Sequence, residues 1–340
     1  MGEMPEQSNN FYEKKEVSKI QSDLEVFDGG KWEKPQIEIK LGADGKPKAL
    51  AFFDIDKTLA EFGFIHGEAF KKLFADVFPD EDPNEMTEVY LGALGLGTTY
   101  RVFDRIKRIY GAEKRAEFKD PNKYLEWLKD HQAEVDEAGP DHDWAAKYSK
   151  LHSQMGAQTA EKLFEESPEI FEQAKIKPVF QLVKIMKRMG IPMAVMTAND
   201  APFAKAIGRC LGLGENFISL VHQKDFEGSG KDVAIEVLVK KFEEKGISIP
   251  ADIAVVGDSL AGDIGSGAKF MEKHSEFKLR GIYVGEGDVE EMKKQVENSP
   301  NLKNMPVEVF VPSKAESGVG RYRREFNTKP ETSSFNKKEG

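Results

Sequence analysis

The segment ALAFFDIDKTLAEFG, residues 49–63, drives an apolar run straight into two carboxylates, Asp54 and Asp56. Three more features of this kind lie downstream, each beside the end of an apolar segment. They are Thr197 after MAVM, Lys231 at the head of KDVAIEVL, and Asp258 with Asp263 in VVGDSLAGD. Asp54, Asp258 and Asp263 gathered in one pocket would not all stay ionised unaided, because desolvation and mutual repulsion raise carboxylate pKa values. A divalent cation removes that conflict. Magnesium, which takes hard oxygen ligands from one or two carboxylates, waters and phosphate oxygens, suits the set. Thr197 and Lys231 add a hydroxyl and a positive charge, groups that hold an anion. Together they would neutralise a phosphoryl group in transfer, and a carboxylate nucleophile would carry it as an aspartyl-phosphate.

For these residues to meet, the elements that carry them must lie side by side. ALAFF is apolar at every position, the pattern of a strand covered on both faces in a parallel sheet. Upstream, Ile37, Ile39 and Leu41 alternate with polar residues before the turn signal ADG, which predicts an edge hairpin leading into that strand. From residue 175 onward, helix and strand patterns alternate. KPVFQLVKIMKRMG, opened by Pro178 and closed by Gly190, is an amphipathic helix, and IPMAVMT, FISLVHQ, DIAVVG, GIYVG and VEVFV read as strands. This predicts an α/β protein with a Rossmann-like, mostly parallel sheet and helices on both faces. Ligands of such sheets sit at the carboxyl ends of the strands, where the four features fall.

Residues 67–174 show no strand pattern. GEAFKKLFADVF, YRVFDRIKRIYG, DPNKYLEWLKDHQAEV and DHDWAAKYSKLHSQMGAQTAEKLFEE space large apolar residues as helices do, which predicts an inserted all-helical domain. The expected organisation is therefore a polar N-terminal arm at 1–35, a core built from 36–66 and 175–313, a helical insert at 67–174 and a polar tail at 314–340. The tail's composition predicts disorder or a surface-draped path. Its seven Lys and Arg against four Glu leave open a protein or other anionic partner.

Composition narrows the function class. A net charge of −10 over 340 residues argues against broad nucleic-acid binding. The longest apolar runs are too short to cross a bilayer, and the N-terminus lacks the apolar stretch of a secretory signal. With a lone cysteine, Cys210, this predicts a cytoplasmic protein. The six histidines lack zinc-like spacing, although His66 lies close enough to the acidic loop to face a substrate. Arg101, Arg105 and Arg108 would share one helical face, either solvated or reading an anionic part of a substrate. GSGKD at 228–232 fails as a P-loop because Asp225 and Asp232 stand where Gly and Ser or Thr are required.

In their order and placement, DIDKT at 54–58, Thr197, Lys231 and GDSLAGD at 257–263 resemble the four motifs of the haloacid dehalogenase (HAD) superfamily of phosphohydrolases. The likeness covers roughly residues 48–66 and 175–313, and the helical block falls where this family places a C1-type cap. The resemblance implies that Asp54 is nucleophile and metal ligand. It makes Asp56 the general acid/base, with its backbone carbonyl on the metal. Thr197 and Lys231 would bind phosphoryl oxygens, Asp258 and Asp263 would hold Mg2+, and Thr58 would tie down the loop. Asp56 favours phosphate-ester chemistry over dehalogenation, since an alkoxide leaving group needs a proton. The implied activity is a magnesium-dependent phosphatase acting on a small phosphorylated metabolite. A phosphomutase or phosphotransferase using the same site, and a HAD-fold binding or regulatory protein, are the alternatives. Lys57 stands where many relatives have Gly, Asp232 stands where Pro is frequent, and Lys224 competes with Lys231 for the phosphate-binding role.

Overall fold

The computed structural model describes residues 16–28, 30–77, 83, 142–226, 230–285, 287–312 and 322–326. The arginines at 101, 105 and 108, most of the helical insert, residues 1–15 and most of the tail lie outside the described residues. In chain order the strands are β1 (Glu16–Gln21), β2 (Val26–Asp28), β3 (Lys31–Glu33), β4 (Gln36–Leu41), β5 (Leu50–Phe53), β6 (Met193–Met196), β7 (Ser219–Val221), β8 (Asp252–Gly257), β9 (Lys278–Val284), β10 (Val307–Pro312) and β11 (Tyr322–Phe326). The helices are α1 (Gly63–Val77), α2 (His142–Glu166), α3 (Glu169–Ala174), α4 (Lys177–Met189), α5 (Ala201–Cys210), α6 (Lys231–Glu244), α7 (Gly265–Lys273) and α8 (Val289–Glu297).

The main sheet runs β11-β10-β9-β8-β5-β6-β7. Six of its strands are parallel, and β11, drawn from the polar tail, closes the β10 edge antiparallel. From β5 the chain steps outward to β6 and β7, then crosses back to β8 on the other side of β5 and steps outward again. That reversal puts a crevice above the carboxyl ends of β5 and β8, where a doubly wound sheet binds its ligand.

Strand β5 is apolar throughout because it serves two cores. Ala51 and Phe53 face a cluster with Val179, Val183, Phe203 and Ile207 from α4 and α5. Leu50 and Phe52 face the opposite cluster with Ile235, Leu238 and Phe242 of α6 and with Ala268 and Phe270 of α7. The alternation is the period-2 rule of a strand. Phe53 packs edge-on to Phe217 at 5.4 Å, and Phe52 to Phe242 at 5.8 Å. Burying such a ring stabilises the fold by about 2–3 kcal/mol, so the strand that ends in Asp54 is among the most firmly held in the molecule.

The N-terminal region differs from a simple polar arm. β1 pairs antiparallel with β4, setting Ile20 opposite Ile37. The alternating segment therefore forms a hairpin-like pair with residues upstream of it, and not with β5 across the ADG turn. Ile37 and Ile39 enter the same core as Phe52. Ser22 donates its hydroxyl to the Phe217 carbonyl at 2.7 Å, and the Asp23 N–H donates to the Ile218 carbonyl at 2.8 Å. These bonds join the segment to the β7 end of the sheet. Gly190 closes α4 in the left-handed region (φ 73°), and a Cβ there would lie 2.5 Å from the Lys40 side chain of β4. Only glycine meets both demands.

Among the described residues no helix is long and apolar enough to cross a membrane. Cys210 lies in α5 against α2, 4% exposed, with its thiol 3.7 Å from the Ala160 carbonyl. Burial, reinforced by Glu161, pushes its pKa up to about 12. The thiolate is the reactive form, so Cys210 in the native protein should resist a disulfide exchange reagent such as DTNB. It should react stoichiometrically once denaturant unfolds the chain, and rapid labelling of the native protein would contradict this packing.

Candidate active site

The acidic loop grows directly out of the buried strand. The Asp54 N–H donates to the Val256 carbonyl at 2.9 Å, continuing the β5–β8 ladder one residue past the strand. Ile55, Leu59 and Ala60 are fully buried, and the N–H groups of Thr58, Leu59 and Ala60 all converge on the Ile55 carbonyl at 2.8–3.2 Å. The DIDKTLA sequence thus alternates groups that face the crevice with anchors that plug the core. Lys57 takes the left-handed conformation (φ 56°), which explains why glycine suits this position; a side chain there costs about 1–2 kcal/mol. Its side chain is exposed. Thr58 pins the loop through its backbone: its buried hydroxyl oxygen has no hydrogen-bond partner among the described residues.

Strand β8 delivers the opposing acids. It ends at Gly257, and a π-helical turn at Leu260–Ile264 brings Asp263 back over the strand end. The Ser259 N–H donates to Asp263 Oδ2 at 3.0 Å, and Ser259 Oγ accepts from the Gly262 N–H at 2.9 Å. Single oxygens of Asp54, Asp258 and Asp263 all lie within 4.8 Å of one another. Lys231, at the first position of α6, donates to Asp54 Oδ1 and to Asp263 Oδ1, both at 2.6 Å. Lys224 is exposed on the turn Gln223–Phe226, so the structure brings Lys231 and not Lys224 to the acids. Asp232 turns the other way and accepts from Lys273 at 2.8 Å.

The electrostatics follow from two buried acids, the half-buried Asp258 and the Lys231 ammonium between them. Burial raises the pKa of Asp54 well above the usual carboxylate range, with Asp263 and Asp56 adding to it and Lys231 opposing. Burial and then Asp263 raise Asp258 to about 6. Burial alone would lower the pKa of Lys231, but attraction to Asp54 and Asp263 outweighs it and raises the value. One lysine leaves the cluster short of positive charge. The donor set, three hard oxygens around one point, fits a divalent cation.

Asp56 stands outside that cluster and in a different environment. Its side chain retains 36% of its exposure. Asn199 donates Nδ2 to Asp56 Oδ2 at 2.6 Å, and His66 Nε2 lies 3.8 Å from Asp56 Oδ1. Burial would raise the pKa of Asp56, but His66, Asn199 and Lys231 together bring it below the ordinary value. Thr197 follows β6, next to β5 in the sheet, and sits one position further out than Asp54. It is buried, and its Oγ1 accepts from the Asn199 N–H at 3.2 Å. Sequence reasoning singled out His66 but missed Asn199. The only signal was its place, a polar residue in the loop just past a buried strand.

A family model for haloacid dehalogenase-like hydrolases matches residues 48–270, about two thirds of the chain. The chain belongs to that family. No curated protein matches it by sequence. Among solved structures, this HAD protein is similar to the magnesium-bound HAD hydrolase YfnB of Bacillus subtilis, with 19% identity over 69% of this chain and 88% of that one and a TM-score of 0.41. CbbY of Rhodobacter sphaeroides, in complex with phosphate, shows 17% identity over 70% and 85% of the two chains with a TM-score of 0.39. β-Phosphoglucomutase of Clostridium difficile shows 14% identity over 72% and 87% with a TM-score of 0.43.

Two outcomes follow for the HAD site. A Cβ at Gly257 would fall 2.3–2.4 Å from the Asp263 side chain. Gly257→Ala should therefore destabilise the protein by about 1–3 kcal/mol, read from a urea midpoint. His152 in α2 is buried and stacked on His66 at 5.5 Å. Burial, followed by the neighbouring His66, holds its pKa well below the usual value. The unfolded chain protonates this residue near pH 6.5 while the native chain resists, so its contribution is lost as pH falls below that value. The wild type should lose stability relative to His152→Phe by up to about 1.4 kcal/mol per pH unit between pH 6.5 and 5. Parallel pH profiles would show that His152 does not titrate on unfolding.

Proposed function

We propose that this HAD hydrolase is a magnesium-dependent phosphatase that cleaves a small phosphomonoester through an aspartyl-phosphate on Asp54. The observation that carries the reading is the convergence of Asp54, Asp258 and Asp263 about one point, with the Lys231 ammonium between two of them. Asp54, Asp258 and Asp263, with the Asp56 backbone carbonyl, would hold the Mg2+. When bound, the cation supplies the missing positive charge, favours the ionised carboxylates and polarises a phosphoryl oxygen.

The chain's own residues do the rest. Lys231 and the Thr197 hydroxyl bind phosphoryl oxygens and orient the phosphorus toward Asp54. Asp54 attacks, forming a carboxyl O–P bond as the ester P–O bond breaks, and Asp56 gives a proton to the departing alkoxide. A water then attacks the phosphorus, gives its proton to Asp56 and releases inorganic phosphate, restoring the Asp54 carboxylate. His66 and Asn199 favour the ionised Asp56 needed in the second half; the negative charge of the incoming phosphoryl group favours the protonated form needed in the first. A cleft of about 640 Å³, lined by Lys57, Glu61, Asp258 and Tyr283 among others, opens beside the site and has room for a small ester. We place the activity in the cytoplasm, with the helical insert as a cap.

The test is phosphate release from a panel of phosphorylated metabolites, with magnesium and with EDTA. Activity should vanish in EDTA, return with magnesium, and fall by on the order of a thousandfold or more in Asp54→Asn. Turnover retained in the Asn variant would exclude the covalent route.

A further inference from the structure

We propose that Asn199 is a positioning residue that fixes the carboxyl group of Asp56 and decides which of its oxygens carries the mobile proton. The inference rests on the phosphatase reading above and adds a group that the four motifs do not contain. Asn199 is itself held at two points. Its N–H donates to Thr197 Oγ1 at 3.2 Å, and its carbonyl accepts from the Gln223 N–H at 3.1 Å. Its side chain then reaches across to the loop after β5 and donates Nδ2 to Asp56 Oδ2 at 2.6 Å. The loops after β5, β6 and β7 are joined in this way through one residue.

The chemistry of the contact is directional. An amide nitrogen donates and does not accept, so Asp56 Oδ2 must offer Asn199 a lone pair whether the carboxyl group is protonated or not. A carbonyl-type oxygen accepts better than a carboxylic hydroxyl, so the contact favours the exchanging proton on Oδ1. His66 Nε2 lies 3.8 Å from Oδ1, outside hydrogen-bond reach; it acts on the charge of Asp56 and does not tie Oδ1 down by a direct hydrogen bond. In the first half-reaction the Oδ1–H bond breaks as the ester oxygen leaves phosphorus and takes the proton. In the second, the attacking water returns a proton to Oδ1. Without Asn199 the carboxyl group could rotate, and the proton would spend part of its time on an oxygen that does not face the leaving group.

A role in proton delivery scales with the need of the leaving group for a proton. Phenyl phosphate needs one more than p-nitrophenyl phosphate does, because nitrophenolate is a stable anion. Asn199→Ala should lower kcat for both esters, but about tenfold further for phenyl phosphate, a fraction of the roughly 10²–10⁴-fold that general acid–base catalysis contributes. KM should change less than about twofold, since phosphoryl binding belongs to Lys231 and Thr197. Asp56→Ala should show the same ordering more strongly, and the double variant should be no slower than Asp56→Ala alone. Asn199→Asp, which puts a like charge beside Asp56, should be at least as impaired as the alanine variant. Equal losses on the two esters, or additive losses in the double variant, would reduce Asn199 to a structural contact and overturn the proposal. A wild type silent on both esters and on the metabolite panel, though folded and magnesium-loaded, would instead overturn the phosphatase reading and the proposal with it.

Discussion

The Lys231 ammonium wedged between Asp54 and Asp263 is the contact on which the rest of this crevice depends. Three carboxylates within 4.8 Å of one another repel strongly in a site where Asp54 and Asp263 are almost wholly buried. The penalty of leaving a buried charge uncompensated is several kcal/mol. A single lysine, itself 14% exposed, holds two of the three together. It does so from the first turn of α6, so the placement of that helix on the sheet is tied to the geometry of the acids. Among the described residues the third acid, Asp258, has no such ion pair, and burial beside Asp263 outweighs Lys231 and Lys57 and raises its pKa to about 6.

The sheet makes this arrangement possible through its register. Phe53 pairs with Val256 and Val195, which aligns the ends of β5, β6 and β8 to within about one residue. A slip of one residue would turn Phe52 and Phe53 each toward the wrong core, so the two aromatic cores that fix the register also fix the acids. Gly257 is part of the same constraint. Asp263 folds back so closely over the strand end that any side chain at 257 would occupy its space. Packing, register and site chemistry are here one problem, solved by the same residues.

Much of this was legible in the chain. Strands apolar at every position announced a sheet covered on both faces, and polar groups just past their ends announced a crevice. What stayed hidden depends on long-range partners or on backbone geometry. The EVSKIQ segment of β1 alternates weakly and becomes a strand only because β4 offers it an edge. The Asn199–Asp56 bond joins residues 143 positions apart, and nothing local to either predicts the other. The π-helical turn that aims Asp263 has no simple sequence signature. At Lys57 the sequence showed only a departure from the glycine common in relatives; the reason glycine suits the position, a left-handed backbone, is visible only in the structure.

The deeper point is how one residue type fills different offices within a few ångströms. Asp54 is enclosed, pairs with Lys231, and sits beside other acids, so its environment favours the neutral form until more positive charge arrives. Asp56, two residues on, keeps contact with solvent and takes a hydrogen bond from Asn199, with His66 nearby, so its environment favours the anion. Carboxylates pushed in opposite directions by their surroundings are the usual basis for dividing nucleophilic and proton-transfer duties between identical side chains. The difference between the two environments is written into the loop itself. Ile55, between the two acids, is buried in the core and anchors the backbone so that Asp54 meets Lys231 and Asp56 meets Asn199. A loop without that central anchor would let both acids sample the same surroundings, and the difference between them would be lost.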